Sequence, residues 1–372
     1  MKANLLDRFK GCLFGGAIGD ALGYAVEFMN IEQIREQYGL DGITRLQLVN
    51  GRALVSDDTQ MTLFTANGLL TGMTQRRLGG ATRETERYLH NAYMDWMRTQ
   101  RLVSNRSTGS VSWIFNQPEL HSVRAPGGTC LRALTSGIMG TLEHPINSSK
   151  GCGGLMRVSP IGLYYDPSRY APDEIDLLGA KSAALTHSHP LGFISAAALV
   201  HIINRVVYGG CADADALTDI ARGCMRAIGV EFCTYEKTEK LLNLLKSAMQ
   251  LAREPGEDRA HIASIGEGWV AEEALAIALY CAIKYCGNFE QALIAAVNHS
   301  GDSDSTGAIT GSILGALIGY NAIPTSYIDE LELFQVIHEL ADDLYTDATA
   351  VDNKHCLSEK WQHKYVKADF RL

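Results

Sequence analysis

Glycine recurs every fourth residue near both ends of this chain: Gly11, Gly15, Gly19 and Gly23, then Gly307, Gly311, Gly315 and Gly319. Inside a helix each glycine costs about 0.5–1 kcal/mol against alanine, so two such rows need a packing reason. A row free of side chains lets two helix axes approach closely along the i±4 ridge. The spacing predicts two central helices that cross near one another. Loops at the glycines are the alternative.

The rest of the chain is dominated by helical periodicity. Apolar spacing predicts helices at 59–70, 83–98, 190–206, 236–252, 269–286 and 306–319. The run from Trp269 to Cys281 is apolar nearly all round, as in a buried helix. One hairpin is predicted: Leu46 to Val49 and Ala53 to Val55 flank Asn50-Gly51, a strong type I′ signal. No alternation of strands and helices appears and no linker divides the chain. The expectation is a single, mostly α domain over residues 1–345, with a polar C-terminal segment, 346–372, packed on it or trailing from it.

Composition narrows the function classes. A net charge of -9 with no basic block disfavours nucleic acid as a partner. Nine cysteines at irregular spacings, without a CxxC, predict a reduced cytoplasmic chain and not a disulfide framework or zinc ribbon. No secretory signal is recognised, and no charge-free apolar run reaches eighteen residues, so no membrane partner is expected.

Two acidic clusters carry the chemistry: Ser56-Asp57-Asp58-Thr59 and Gly301-Asp302-Ser303-Asp304-Ser305-Thr306-Gly307. Each leads into a predicted helix. Asp and Ser suit helix N-caps, but two clusters of paired carboxylates exceed what caps need. Like charges 4 Å apart repel by about 4 kcal/mol at an effective dielectric of 20. If the fold joins the clusters, a hard divalent ion is expected, since oxygen-only ligands select Mg²⁺, Mn²⁺ or Ca²⁺. An EF-hand reading of the second cluster fails at its twelfth position, where Ile313 replaces the bidentate glutamate. The Asp-x-Asp-x-Thr pattern also fits a metal-dependent phosphohydrolase, which an apolar strand before Asp302 would favour.

Several segments in order resemble the ADP-ribosylglycohydrolase family, from about residue 8 to about residue 345. They are Gly19-Asp20-Ala21-Leu22-Gly23 with Glu27-Phe28, the two acidic clusters, and Gly151-Cys152-Gly153-Gly154-Leu155-Met156-Arg157-Val158. Thr186-His187-Ser188-His189-Pro190 and Gly268-Trp269-Val270-Ala271-Glu272-Glu273-Ala274-Leu275 complete the set. The resemblance implies an all-α, compact orthogonal helical bundle with a binuclear Mg²⁺ centre, Mn²⁺ being the alternative. It implies metal ligation by Ser56, Asp57, Asp58, Asp302, Asp304 and Ser305, with Thr306 as the alternative to Ser305.

Further roles follow from the same resemblance. The loop containing Ser149, Gly151, Cys152 and Gly153 is similar to a pyrophosphate-binding loop, where glycines let backbone N–H groups approach an anion. A simple turn is the structural alternative. No His/Asp pair neighbours Cys152 in sequence to make it a nucleophile. His187 is expected on the distal part of ADP-ribose, His189 in a structural place, and Gly128 in a segment (Pro126 to Cys130) near the cleft. Asp58 or Asp304 is the expected catalytic base, and Glu27 a residue that gates the metals.

The implied activity is hydrolysis of the N-glycosidic bond of ADP-ribosylated arginine on proteins, releasing ADP-ribose. The partners implied are an ADP-ribosylated protein, ADP-ribose and, as a further case, a cognate ADP-ribosyltransferase toxin. The alternatives are a hydrolase of another ADP-ribosyl linkage, a non-catalytic ADP-ribose binder or structural relative, and the phosphohydrolase.

Overall fold

A computed structural model of the chain describes residues 4–80, 84–100 and 110–366. Among these, seventeen α-helices surround one continuous apolar core, and the only sheet is a two-stranded hairpin. The fold is therefore all-α, as expected.

The glycine rows form a seam between two buried helices, Leu5–Tyr24 and Ser303–Ile318. The helices run antiparallel, with Gly11 against Gly315, Gly15 against Gly311, Gly19 against Gly307, and Gly23 against Ser303. A Cβ on Gly15 would stand 2.2 Å from the Gly311 carbonyl oxygen, and one on Gly311 would stand 1.9 Å from that of Gly15. No side chain fits there. Gly319 differs from the others: it ends its helix at φ +82°, a conformation that glycine adopts without strain. The seam brings the C-terminal end of the first helix to the N-terminal end of the other. Arg8 fixes the opposite end, donating to the carbonyls of Val206 at 2.8 Å, Ala316 at 3.2 Å and Cys211 at 3.2 Å.

The predicted helices are present with shifted ends: Asp57–Arg77, Thr85–Thr99, Pro190–Tyr208, Thr238–Leu251 and Ala271–Lys284. Residue 83 of the predicted 83–98 helix lies outside the described residues. Trp269 is not part of the buried helix. Gly268 at φ +84° breaks the chain direction, and the helix begins at Ala271, leaving Trp269 41% exposed. The helix Pro190–Tyr208 is long and apolar enough to cross a membrane by length and composition, but 89% of its 18-residue apolar stretch is buried inside the protein.

The hairpin pairs Leu48 with Ala53 and Val49 with Arg52, turning through Asn50 (φ 52°) and Gly51 (φ 78°). It is pinned from outside: Ala53 N–H donates to Glu330 O at 2.8 Å, and Glu332 N–H to Ala53 O at 3.0 Å. This anchors the residues immediately before Ser56. At the C-terminal end, the helix Phe334–Thr349 runs through the expected boundary at 345 without a break. Beyond it Trp361 and Tyr365 are buried, and Trp361 Nε1 donates to Thr74 Oγ1 at 2.9 Å. Trp361 thus packs against the helix Asp57–Arg77.

Candidate active site

The glycine seam places Asp20, one residue past Gly19, beside the N-terminus of the Ser303 helix. Asp20 is fully buried. Its carboxylate accepts from the backbone N–H of Ser56 (3.0 and 3.1 Å) and of Thr59 (3.0 Å), and from the Thr59 hydroxyl. Asp20 thus fastens the start of the Asp57 helix to the first helix. That frees the acids of the cluster itself from capping work. Ser56 is the N-cap, its Oγ accepting from Asp58 N–H at 3.1 Å.

Asp57 is held from the side: its Oδ2 accepts from Gly127 N–H at 3.0 Å, while its own N–H donates to Arg124 O at 3.0 Å. Gly127 belongs to the segment Pro126 to Cys130, and Gly128 beside it begins the helix Gly128–Thr135. Arg124 is fixed in turn by Glu332 at 2.8 Å. Asp302 caps the Ser303 helix, accepting from Ser305 N–H at 3.3 Å, and Asp304 accepts from the same N–H at 2.9 Å. The Thr306 hydroxyl is occupied elsewhere, donating towards the carbonyls of Ala296 (2.7 Å) and Asp302 (2.8 Å) and lying 3.0 Å from His299 Nε2. Ser305, one helical step away, is the hydroxyl on the acidic side.

The two clusters meet. Asp57, Asp58 and Asp302 are each pushed well above the usual carboxylate range, by burial first and then by repulsion from neighbours that include Asp304. Asp20 rises to about 7 from burial and the charge of Asp304. Glu27 rises to about 10, again from burial and then from Asp304, Asp302, Asp57 and Asp20. Glu27 Oε2 and Asp58 Oδ2 are buried without any hydrogen-bond partner. Among the described residues no Lys, Arg or His forms an ion pair with any of these six acids. Six buried acids without a countercharge fit a cation-binding site.

The glycine loop borders this pocket. Cys152 Sγ donates to Asp302 Oδ2 at 2.6 Å, and burial together with Asp302 and Asp58 holds the thiol well above its usual range. In this arrangement the thiol serves Asp302 as a hydrogen-bond donor. The loop is pinned to the chain before the Ala271 helix: Gly151 bridges Val270, Cys152 N–H donates to Trp269 O at 3.3 Å, and Ala271 N–H to Lys150 O at 2.8 Å. Ser149 Oγ lies 3.3 Å from Thr129 Oγ1.

His187 packs against the glycine loop. It is 2% exposed and lies beneath the loop, its ring 3.1 Å from where a Gly153 Cβ would be and 3.4 Å from that of Gly151. Burial and Arg157 lower its pKa to about 3, so the ring is neutral and supports the loop from behind. His189 is structural, its Nδ1 accepting from Leu191 N–H at 3.1 Å as the N-cap of the next helix.

A helix, Phe289–Val297, precedes Asp302. A strand there would favour the phosphohydrolase reading, and the helix takes that support away. Residues 1–354 match the family model described as ADP-ribosylglycohydrolase. The chain belongs to the ADP-ribosylglycohydrolase family. Similar proteins include the ADP-ribosyl-[dinitrogen reductase] glycohydrolase of Rhodospirillum rubrum, 24% identical over 88% of this chain and 91% of that protein. ADP-ribosylhydrolase ARH3 of Mus musculus is 23% identical over 92% of each chain. ADP-ribosylarginine hydrolase Tri1 of Pseudomonas putida is 24% identical over 95% of this chain and 81% of that protein. A solved ADP-ribosylglycohydrolase-related protein complex shares the fold, with a TM-score of 0.62 at 23% identity, covering 94% of this chain and 100% of the other. This family member is a hydrolase of ADP-ribosyl linkages.

Among the described residues, one group of His, Cys and Asp brings three ligand atoms within 4.8 Å of one another: Asp347, His355 and Cys356. It lies apart from the acidic pocket. Asp347 is paired with Arg77 Nε at 2.7 Å and accepts from Tyr164 OH at 2.5 Å, so its charge is already compensated.

Proposed function

We propose that this glycohydrolase cleaves the N-glycosidic bond of ADP-ribosylated arginine on proteins and releases ADP-ribose. The observation that carries the reading is the convergence of six buried, uncompensated acids beside a glycine loop. The similarity to an ADP-ribosylarginine hydrolase supports arginine as the linkage.

Two divalent cations, Mg²⁺ or Mn²⁺, would be held by Ser56, Asp57, Asp58, Asp302, Asp304 and Ser305. When bound, such ions neutralise the carboxylates and polarise ribose oxygens. Asp20 and Gly127 keep the ligating carboxylates oriented. The loop Ser149–Gly153 binds the pyrophosphate through backbone N–H groups, with His187 holding its shape from below. Asp58, which has a free buried oxygen, or Asp304 takes the proton from the water that attacks the anomeric carbon. The arginine guanidino group leaves with the electrons of the C–N bond, and it needs less assistance than an alkoxide because it begins as a cation. Glu27 closes the pocket from the turn after the first helix. All nine cysteines are free, which supports a reducing, cytoplasmic setting.

The test is release of free ADP-ribose from an ADP-ribosyl-arginine protein and from an ADP-ribosyl-serine peptide, with Mg²⁺ and with chelator. Metal-dependent release from arginine alone supports the reading. Release from serine alone overturns the linkage, and release that survives chelation overturns the role of the cations.

A further inference from the structure

Two large aromatic side chains stand in solvent at the rim of the acidic pocket. Phe28 is 73% exposed and Trp269 is 41% exposed, and their rings stack with centroids 6.3 Å apart and planes 19° apart. Each ring belongs to a different wall. Phe28 follows Glu27, whose side chain is buried among the pocket acids. Trp269 sits between Gly268 and Val270. A Cβ on Gly268 would lie 3.5 Å from Asp302 Cβ, and Val270 is bridged to Gly151 of the glycine loop. The pair therefore spans the mouth between the Glu27 turn and the Asp302–Cys152 edge.

Exposed aromatic surface at a cleft mouth marks a contact site. Its position decides what it contacts. In the reading above the anomeric carbon lies against the acids, and Glu27, which interacts with four of them, directly precedes Phe28 in the chain. An ADP-ribosylated arginine presents a flat cation there on an aliphatic stem. Aromatic faces attract a flat cation through the ring quadrupole, and arginine stacks on them more often than lysine. A serine linkage offers neither plane nor charge. We propose that Phe28 and Trp269 form a stacking platform for the guanidino group of the modified arginine, making Phe28 a specificity-determining residue. This rests on the arginine reading above and names the residues that would enforce it.

The experiment uses the full chain with Mg²⁺ and ADP-ribosyl-arginine as a small-molecule substrate, measuring kcat, KM and the Ki of ADP-ribose as competitive product inhibitor. Phe28→Ala should raise KM about tenfold, the size expected for losing a cation–π contact, with kcat falling less. The Ki of ADP-ribose should stay within about twofold, because ADP-ribose lacks the guanidino group. Phe28→Tyr keeps an aromatic face and should restore the wild-type KM. An unchanged KM in Phe28→Ala overturns the proposal. So does a Ki that rises in step with KM, which would mean that the rings hold ADP-ribose itself. If the wild-type chain binds ADP-ribose but does not cleave the arginine linkage, the reading of the function fails first, and the platform falls with it.

Discussion

Two groups of buried aspartates in this molecule have opposite surroundings. Asp347 is fully buried, yet Arg77 Nε lies 2.7 Å away, His355 Nε2 2.7 Å, and Tyr164 OH 2.5 Å. Asp20, Asp57, Asp58, Asp302 and Asp304 are equally buried, but they face one another and Glu27. The first group is finished within the protein. The second is not: its carboxylates repel, and two of its acid oxygens lack any partner. Burying an unpaired charge is expensive, so a fold that assembles six such groups does so for something that arrives later. A compensated buried acid holds structure, and an uncompensated set waits for a ligand.

The largest effect should come from Asp304, whose charge raises the pKa of most of its neighbours. Asp304→Asn should lower kcat by about a thousandfold or more, in the range typical of losing a catalytic or ligating group. It should leave the melting temperature of the metal-free protein unchanged or higher, because one repelling charge is gone. A large loss of stability would place Asp304 with Asp347 as a structural acid.

Asp347→Ala should do the reverse. Breaking a buried pair by removing one partner costs about 3–5 kcal/mol, read as a lower midpoint in urea. The kcat of the folded fraction should stay near wild type. Loss of turnover without loss of stability would erase the distinction between the two groups.

Divalent ion should separate them by ligand linkage. At a free Mg²⁺ concentration a hundredfold above its dissociation constant, stabilisation is about 2.7 kcal/mol, seen as a rise in melting temperature. Asp304→Asn should lose most of that rise, while a milder Asp347→Asn variant should keep it.

A smaller effect concerns pH. Asp20 and Glu27 have folded-state values of about 7 and about 10, above their ordinary values of 3.8 and 4.5. A carboxyl with a raised folded value favours the fold while protonated. Its contribution is full below about pH 4 and is lost as pH climbs through the folded value. With chelator present, the melting temperature should fall from pH 5 to pH 8, and Mg²⁺ should flatten that slope. A melting temperature that rises over this range in chelator would contradict the uncompensated pocket.

The sequence showed the two Asp clusters because adjacent and alternate carboxylates at helix starts stand out against apolar neighbours. It also showed the glycine seam, since a row of four glycines at i+4 has few other uses. The role of Asp20 is not legible in the sequence, because one acid in a helix does not say which helix it will fasten. Its signal was present: an isolated carboxylate among Gly, Ala, Ile and Leu has no solvent to face. The choice between Ser305 and Thr306 depended on rotation of the helix about its axis, which only packing fixes. The packing of His187 against the glycine loop is not legible in the sequence, because it depends on residues far away along the chain. The tail after residue 345 looked polar, yet Trp361 and Tyr365 supply enough apolar surface to dock it.

The central claim is that the acidic pocket is completed by cations. The direct measurement is the number of divalent ions bound per chain, by equilibrium dialysis against Mn²⁺ with elemental analysis, for wild type and Asp304→Asn. The account predicts two ions per wild-type chain and fewer in the variant, with release on adding chelator. Wild-type protein that is folded, binds ADP-ribose and retains no ion would contradict it.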